Sequence, residues 1–142
     1  MNQLLVAVDG SENSNRAIDA AATLAKITTA KLLVMTVGHE LASRDISQLA
    51  RAEGGLGEAY ECVHGQILQH AKTRALAKGA PAVEVQLGWG DPAETIIEAA
   101  RRTKADLLIV GRRGRGKLAS LLLGSVSHTL VSLAPCIVAV VP

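Results

Sequence analysis

Aromatic side chains are almost absent from this sequence. Its 142 residues include one tyrosine, one tryptophan and no phenylalanine, so a core must be built from Leu, Val, Ile and Ala. Modules that bind single-stranded nucleic acid stack the bases on aromatic side chains, and this chain lacks the rings to do so. The net charge, 15 − 13 = +2, is too small to indicate a polyanionic partner. We therefore expect no nucleic-acid binding.

Long hydrophobic runs and a secretory leader are also lacking. The apolar runs have the length of strands, well short of the roughly 20 residues that span a membrane, and the N-terminus has no basic segment before a long apolar one. The two cysteines, Cys62 and Cys136, show neither CxxC nor metal-type spacing, which indicates buried or partly buried free thiols. We expect a cytoplasmic protein without membrane insertion and without a protein-bound metal.

Aliphatic residues dominate what is present, since 49% of the chain is hydrophobic and 20% is charged. This composition excludes a disordered chain. A domain of this length buries about 68–70% of its unfolded surface. No repeat, low-complexity segment or linker divides the sequence, so we predict one domain over residues 1–142.

Strand and helix patterns alternate along the chain. Short apolar runs indicate strands at 3–9, 31–37, 83–87, 107–110 and 137–141. Helical periodicity predicts helices at 12–28, 58–78, 92–103 and 125–134, with a mobile connection at 38–57 and a loop or short helical piece at 118–123. Ser11 and Asp91 are predicted N-caps, and Gly79 a helix end. Five strands and four helices predict a doubly wound, Rossmann-like α/β domain with a mostly parallel sheet covered on both faces.

The stretch 106–127, DLLIVGRRGRGKLASLLLGSVS, has the features of a phosphate site. A buried strand leads into a basic, glycine-rich loop, and the loop leads to a helix start, where backbone N–H groups and the helix dipole bind anions. Ligands of doubly wound sheets bind beyond the carboxyl ends of the strands, which makes Asp9 a second candidate. Asp9 is expected either to bind a ligand, which would be a ribose or a metal, or only to cap the next helix. Its position fits both roles.

Two common phosphate motifs do not fit. The G-x-G-x-x-G fingerprint should follow the first strand, where the sequence is DGSENS. The P-loop pattern fails at Leu118, where a hydroxyl should ligate Mg²⁺. An ATP-using enzyme of related architecture usually carries a glycine- and serine-rich loop after strand one, which residues 9–15 only weakly suggest. No nucleophile–base pair is evident, so no catalytic residue is predicted.

A third pattern fits: G-x-x-G, nine residues, then G-[ST], here Gly111, Gly114, Gly124 and Ser125. With VDGS after strand one and the closing PCIVAVV, the whole chain resembles the universal stress protein family, in its ATP-binding branch. The resemblance implies a five-stranded α/β domain that binds ATP or AMP, with or without Mg²⁺, and hydrolyses ATP slowly at most. It also implies a stress-response or regulatory role with an unspecified protein partner. An interaction module with an empty nucleotide site is the other alternative.

The same resemblance implies which residues bind. Asp9 would contact the ribose and Val37 the adenine through its main chain, while Ala7, Val8, Val110 and Gly111 would line the nucleoside. The phosphates would lie against Gly114, Gly124, Ser125, Val126 and Ser127. Family members commonly form homodimers by pairing their last strands, here residues 136–141 beginning at Cys136.

The basic side chains of the loop have two alternative roles. They are Arg112, Arg113, Arg115 and Lys117, which either bond phosphates or, for at least two of them, lie solvated. His128 is expected to be a surface or packing residue, and Trp89 a partly buried packing residue. We expect bound nucleotide to order the loop from Gly111 to Gly124.

Overall fold

The computed structural model describes residues 1–38, 55–114 and 123–142, with the main chain only for 55–61. Its strands are β1 (Gln3–Ala7), β2 (Lys31–Gly38), β3 (Ala82–Trp89), β4 (Leu107–Gly111) and β5 (Ile137–Val141). Its helices are α1 (Glu12–Thr28), α2 (Gly55–Ala77), α3 (Pro92–Thr103) and α4 (Ser125–Leu133). The predicted doubly wound α/β fold is confirmed.

The sheet is parallel, with strand order β3-β2-β1-β4-β5. The chain moves outward from β1 to β3 and then returns to the other side of β1, so the order reverses between β1 and β4. In doubly wound sheets this reversal opens a crevice at the carboxyl ends of the two strands. The Asp9 turn and the Gly111 loop therefore follow neighbouring strands.

Helices cover both faces of the sheet, because successive side chains of a strand point to opposite faces. Leu4 and Val6 pack with residues of α1 and α2, whereas Leu5 and Ala7 pack with residues of α3 and α4. The core is aliphatic, as predicted. Truncating a fully buried member such as Leu108 to alanine should cost about 2–5 kcal/mol.

Capping residues set the helix boundaries much as predicted. Ser11 Oγ accepts a hydrogen bond from Ser14 N at 3.2 Å, and Asp91 Oδ2 accepts one from Glu94 N at 3.0 Å. At the end of α2, Gly79 N bonds Leu76 O at 3.0 Å and Ala80 N bonds Ala75 O at 3.1 Å. Gly79 has φ +98°, so these bonds form the left-handed Schellman ending.

Three elements have a boundary that differs from the prediction by two or three residues. Helix α2 begins at Gly55 rather than at 58, although each glycine disfavours a helix by roughly 1 kcal/mol. Strand β1 ends at Ala7 rather than at 9, and β3 is longer because it pairs with all eight residues of β2. Most of the predicted 38–57 connection, and 118–122 of the predicted piece before α4, lie outside the described residues.

The two cysteines differ in environment. Both are free thiols, and Cys136 is partly buried in the sheet edge, where burial raises the pKa of its thiol. Cys62 is exposed on α2, so the prediction of a buried thiol is wrong there. Within the described ranges, no helix is long and apolar enough to cross a membrane.

Candidate functional site

A cavity of about 430 Å³ lies at the carboxyl ends of β1, β2 and β4. Small-molecule sites commonly measure roughly 300–1,000 Å³. All eleven site residues predicted from the sequence line it: Ala7, Val8, Asp9, Val37, Val110, Gly111, Gly114, Gly124, Ser125, Val126 and Ser127. The fold thus brings residues that are 120 positions apart to one site, while the contact of each with a ligand stays a prediction.

Asp9 lies in a turn between β1 and α1 and does not cap the helix. Gly10 supplies the turn with φ +81°, a conformation that side-chain-bearing residues rarely adopt. Asp9 Oδ1 accepts a hydrogen bond from Ser11 N at 2.9 Å, whereas the N-cap of α1 is Ser11 itself. The spacing left Asp9 either a capping role or a ligand-binding role. Ser11 caps the helix, and the Asp9 carboxylate lines the cavity.

Two glycines of the predicted phosphate loop make room for the protein's own atoms. A Cβ on Gly111 would lie 2.9 Å from Asn13 Cβ and 3.0 Å from its main-chain carbonyl carbon, where α1 crosses the end of β4. A Cβ on Gly114 would collide with Asp9 Oδ2. The resemblance implies that Gly111 lies beside the nucleoside and Gly114 beside the phosphates. The structure shows that these glycines also let the β1 turn, α1 and the β4 loop approach each other.

Ser127 joins the two ends of that loop. It is 2% exposed, and its hydroxyl lies 2.8 Å from Arg112 O and 3.1 Å from Gly124 O. Gly124 N donates to the same Arg112 carbonyl at 2.8 Å. The Ser127 side chain, expected to contact phosphate, is therefore directed at main-chain carbonyls and fixes the start of α4 against the end of β4.

Helix α4 begins without a side-chain cap. Its N-cap is Gly124, which has no side chain to accept a hydrogen bond, and its first turn contains no acidic residue. The first N–H groups of a helix have no partner within the helix, and they carry the positive end of its dipole. Gly124, Ser125 and Val126 line the cavity. The start of α4 can therefore stabilise an anion there.

The two cations of the loop that the structure describes have different surroundings. Arg113 lines the cavity, and its main-chain carbonyl accepts a hydrogen bond from Asn13 Nδ2 at 2.7 Å. Arg112 does not line it, and its Nε is buried with no hydrogen-bond partner among the described residues. Arg115 and Lys117 lie outside those residues. His128 is exposed, as predicted.

The described part of the chain contains no group of three or more His, Cys, Asp and Glu side chains that could hold a metal ion. Asp9 is the one carboxylate among the described residues that line the cavity. A metal here would therefore depend on ligand atoms brought by the bound molecule.

Sequence reasoning missed much of the cavity wall. The missed residues are Ser11, Ser14, Met35, Thr36, Val63, His64, Ile67, Pro92 and Ile96, whereas Arg113 is one of the cations for which the sequence left a phosphate contact open. Helical periodicity placed Ile67 and Ile96 on apolar faces. It could not show which end of the sheet each face covers, because that depends on how the helices cross the strands.

The model of the universal stress protein family matches residues 1–142. The chain belongs to this family. Universal stress protein YxiE of Bacillus subtilis is 36% identical to it over 146 aligned positions, which cover 99% of this chain and 98% of the relative.

Solved universal stress proteins share the fold. A crystal structure of a universal stress protein in complex with cAMP is 31% identical to this chain, with a TM-score of 0.77 and coverage of 99% and 95%. The universal stress protein UspA from Lactobacillus plantarum superposes with a TM-score of 0.85 at 23% identity, covering 99% of this chain and 97% of its own. The predicted family is confirmed.

Proposed function

We propose that this universal stress protein binds an adenine nucleotide, ATP or AMP, in the cavity at the switch point. The observation that carries the proposal is the uncapped start of α4, which faces the same cavity as the Asp9 carboxylate. Helix N-termini of this kind bind phosphate. The cAMP complex of a relative that is 31% identical supports an adenine nucleotide as the ligand.

The β2 end of the cavity suits the base. Pairing of the β1 segment with β2 ends where Val8 N donates to Met35 O at 2.9 Å. Successive residues of a strand direct their main-chain N–H and C=O groups to opposite sides. Val37 lies two residues after Met35, so its N–H and C=O point to the same side as those of Met35, towards β1 but beyond the end of the β1 pairing. They offer one donor and one acceptor to the edge of a purine. Val37, Met35 and Ile96 provide an apolar surround.

The centre of the cavity suits the ribose. Asp9 Oδ1 already accepts from Ser11 N, which fixes the direction of the carboxylate, and an ionised carboxylate accepts several hydrogen bonds. A carboxylate near the strand ends binds ribose hydroxyls in doubly wound nucleotide sites. The order base, ribose, phosphate then follows the order β2, β1, β4.

The expected activity is binding with slow hydrolysis at most. Asp9 is assigned to the ribose, and the Ser127 hydroxyl is directed at the carbonyls of Arg112 and Gly124. Mg²⁺ usually binds one or two carboxylates together with substrate phosphates, so ATP can bring it to Asp9. The protein would act in a stress or regulatory response in the cytoplasm through a partner that recognises its nucleotide state.

The last strand and α4 are proposed to form a homodimer interface. Strand β5 lies at the edge of the described sheet, and Val131, Leu133 and Ile137 are 51%, 64% and 65% exposed. Unprotected apolar edges commonly pair with another chain. Light scattering should give the mass of a dimer for the wild type and of a monomer for Ile137→Lys. A monomeric wild type would contradict this part of the proposal.

Mass spectrometry of protein purified without added nucleotide tests the ligand first. Calorimetric titration with ATP and with AMP, each with and without Mg²⁺, should then give saturable binding. No binding at millimolar ATP would leave the interaction module as the better explanation, and rapid multiple turnover would favour an ATP-using enzyme. Hydrogen exchange of residues 111–124 should slow in the nucleotide complex, and equal exchange would contradict ordering of the loop.

A further inference from the structure

His64 and Trp89 form an aromatic contact at the cavity wall that the proposed function does not use. Their ring centroids are 5.8 Å apart with an interplanar angle of 84°, the edge-to-face arrangement that aromatic rings favour. His64, on α2, lines the cavity, whereas Trp89, at the end of β3, does not. Trp89 is 48% exposed and is the only tryptophan in the chain.

The sheet fixes the position of the indole. Gly38 and Trp89 are opposite each other in the pairing of β2 with β3, and Gly90 N donates to Gly38 O at 3.2 Å. A Cβ on Gly38 would collide with ring carbons Cε3 and Cζ3 of Trp89. The indole therefore lies against the Gly38 main chain, and any side chain at residue 38 would displace it.

The contact places His64 at a known end of the cavity. Gly38 directly follows Val37, and His64 is linked to Gly38 through the Trp89 ring. The start of α4 lies beyond the end of β4, on the other side of β1. His64 is thus at the Val37 end, away from the proposed phosphate position.

We propose that His64 contacts the purine base and that Trp89 is the residue that positions it. The inference rests on the proposed function, because the base belongs to the proposed nucleotide. An imidazole offers both a ring surface and a nitrogen that hydrogen-bonds, which suits a planar heterocycle. His64 then selects for ligands that carry a base, whereas the α4 start selects for phosphate.

Substitution of His64 separates these two selections. His64→Ala should weaken ATP binding about 2- to 10-fold and leave the affinity for tripolyphosphate, which has no base, unchanged. His64→Phe keeps a ring and should recover most of the ATP affinity. His70→Ala is the matched control, because His70 lies on the same helix, is exposed and does not line this cavity, although it lines a smaller cavity that adjoins it.

Trp89 reports the contact directly. ATP should change the tryptophan emission of the wild type, and most of that change should be lost in His64→Ala even at saturating ATP. Gly38→Ala tests the positioning role with His64 intact. It should shift the emission of the free protein and lower ATP affinity about as much as His64→Ala. Circular dichroism checks that each variant is folded.

Equal ATP affinity of the wild type and His64→Ala would overturn the inference. Equal losses for ATP and tripolyphosphate would also overturn it, because they would show a disturbance of the whole cavity. A wild type that binds no nucleotide would overturn both this inference and the proposed function. If the wild type binds ATP and His64→Ala binds it with equal affinity, only this inference is overturned and the proposed function stands.

Discussion

Helices α1 and α4 follow neighbouring central strands, yet they begin in different ways. In the first turn of α1, Ser14 N donates to the Ser11 hydroxyl at 3.2 Å, and Glu12 places a negative charge beside the remaining N–H groups. The start of α4 has Gly124 as its cap and no acidic residue nearby. A capped start needs no ligand, whereas an uncapped start facing a cavity leaves donors and a positive dipole end for one. This difference supports the start of α4 as the proposed anion site.

The largest effect is expected from closing the space between the two loops. Gly114→Val would drive Cβ into Asp9 Oδ2 and should weaken ATP binding at least about 100-fold, or about 2.7 kcal/mol. Arg113→Ala removes a charge at the cavity wall and should cost only about 0.2–1 kcal/mol, as exposed ion pairs do. Calorimetry gives both affinities, and the reverse ranking would refute the assigned roles.

The next largest effect is expected from a substitution that gives α4 a capped start like that of α1. Gly124 has φ −68° and ψ 165°, and its Cβ would meet neighbours at 3.5 Å or more, so a side chain fits. Gly124→Asp should cap the helix and occupy the anion position with a carboxylate. We expect ATP affinity to fall about 10-fold or more, while the melting temperature is kept or raised, since a capping side chain gains about 0.3 kcal/mol over glycine and a favourable charge contributes about 0.3–1 kcal/mol.

Gly124→Asn is the control for this change, because asparagine caps helices as well as aspartate does but carries no charge. It should retain more ATP affinity than Gly124→Asp. If both variants bind ATP as tightly as the wild type, the start of α4 does not hold the phosphates.

A capped start away from the cavity should affect stability alone. Asp91 Oδ2 accepts from Glu94 N at 3.0 Å, and Asp91 does not line the cavity. Asp91→Ala should lower the free energy of unfolding by about 1 kcal/mol in urea titrations and leave ATP affinity unchanged. Asp91→Asn should keep most of the stability. A clear loss of ATP affinity in Asp91→Ala would show that caps and site are coupled.

The smallest effect is expected from an ion pair that joins the body of α1 to α2. Arg74 of α2 donates to both Asp19 oxygens, at 2.7 and 2.8 Å, and this bond holds the pKa of the Asp19 carboxyl below its ordinary value. Because the folded state lowers this pKa, the ionised Asp19 carboxylate stabilises the fold at pH values above the unfolded-state pKa of about 3.9. That contribution is lost as the pH falls through the folded-state pKa.

The Arg74 and Asp19 side chains are 35% and 28% exposed, so this pair should contribute only about 0.2–1 kcal/mol. Urea unfolding should show Asp19→Asn less stable than the wild type at pH 7, with the difference shrinking as the pH is lowered. A difference that persists unchanged at low pH would point to packing rather than to the ion pair.

Local signals predicted what depends on local chemistry. Apolar runs and helical periodicity predicted each of the nine elements in the described ranges, and Ser11, Asp91 and Gly79 marked helix ends, because caps act within a few residues. The same signals failed at Gly55, where the local glycine propensity predicts a loop and the structure begins helix α2. The family pattern supplied eleven residues that do line one cavity.

Contacts between residues that are distant in the sequence could not be predicted from these local patterns. No spacing rule joins His64 to Trp89, or gives Ser127 the carbonyl of Arg112 as its partner.

The sequence by itself therefore determined the order and type of the elements, the aliphatic core and the glycine pattern that identifies the family. It also left α4 without a capping side chain, since Gly124 has none to offer. The tertiary structure decided that this uncapped start faces the Asp9 turn, because the strand order reverses between β1 and β4. It also decided why Gly111 and Gly114 are glycines, since the atoms that exclude a side chain at both positions lie about 100 residues earlier in the chain.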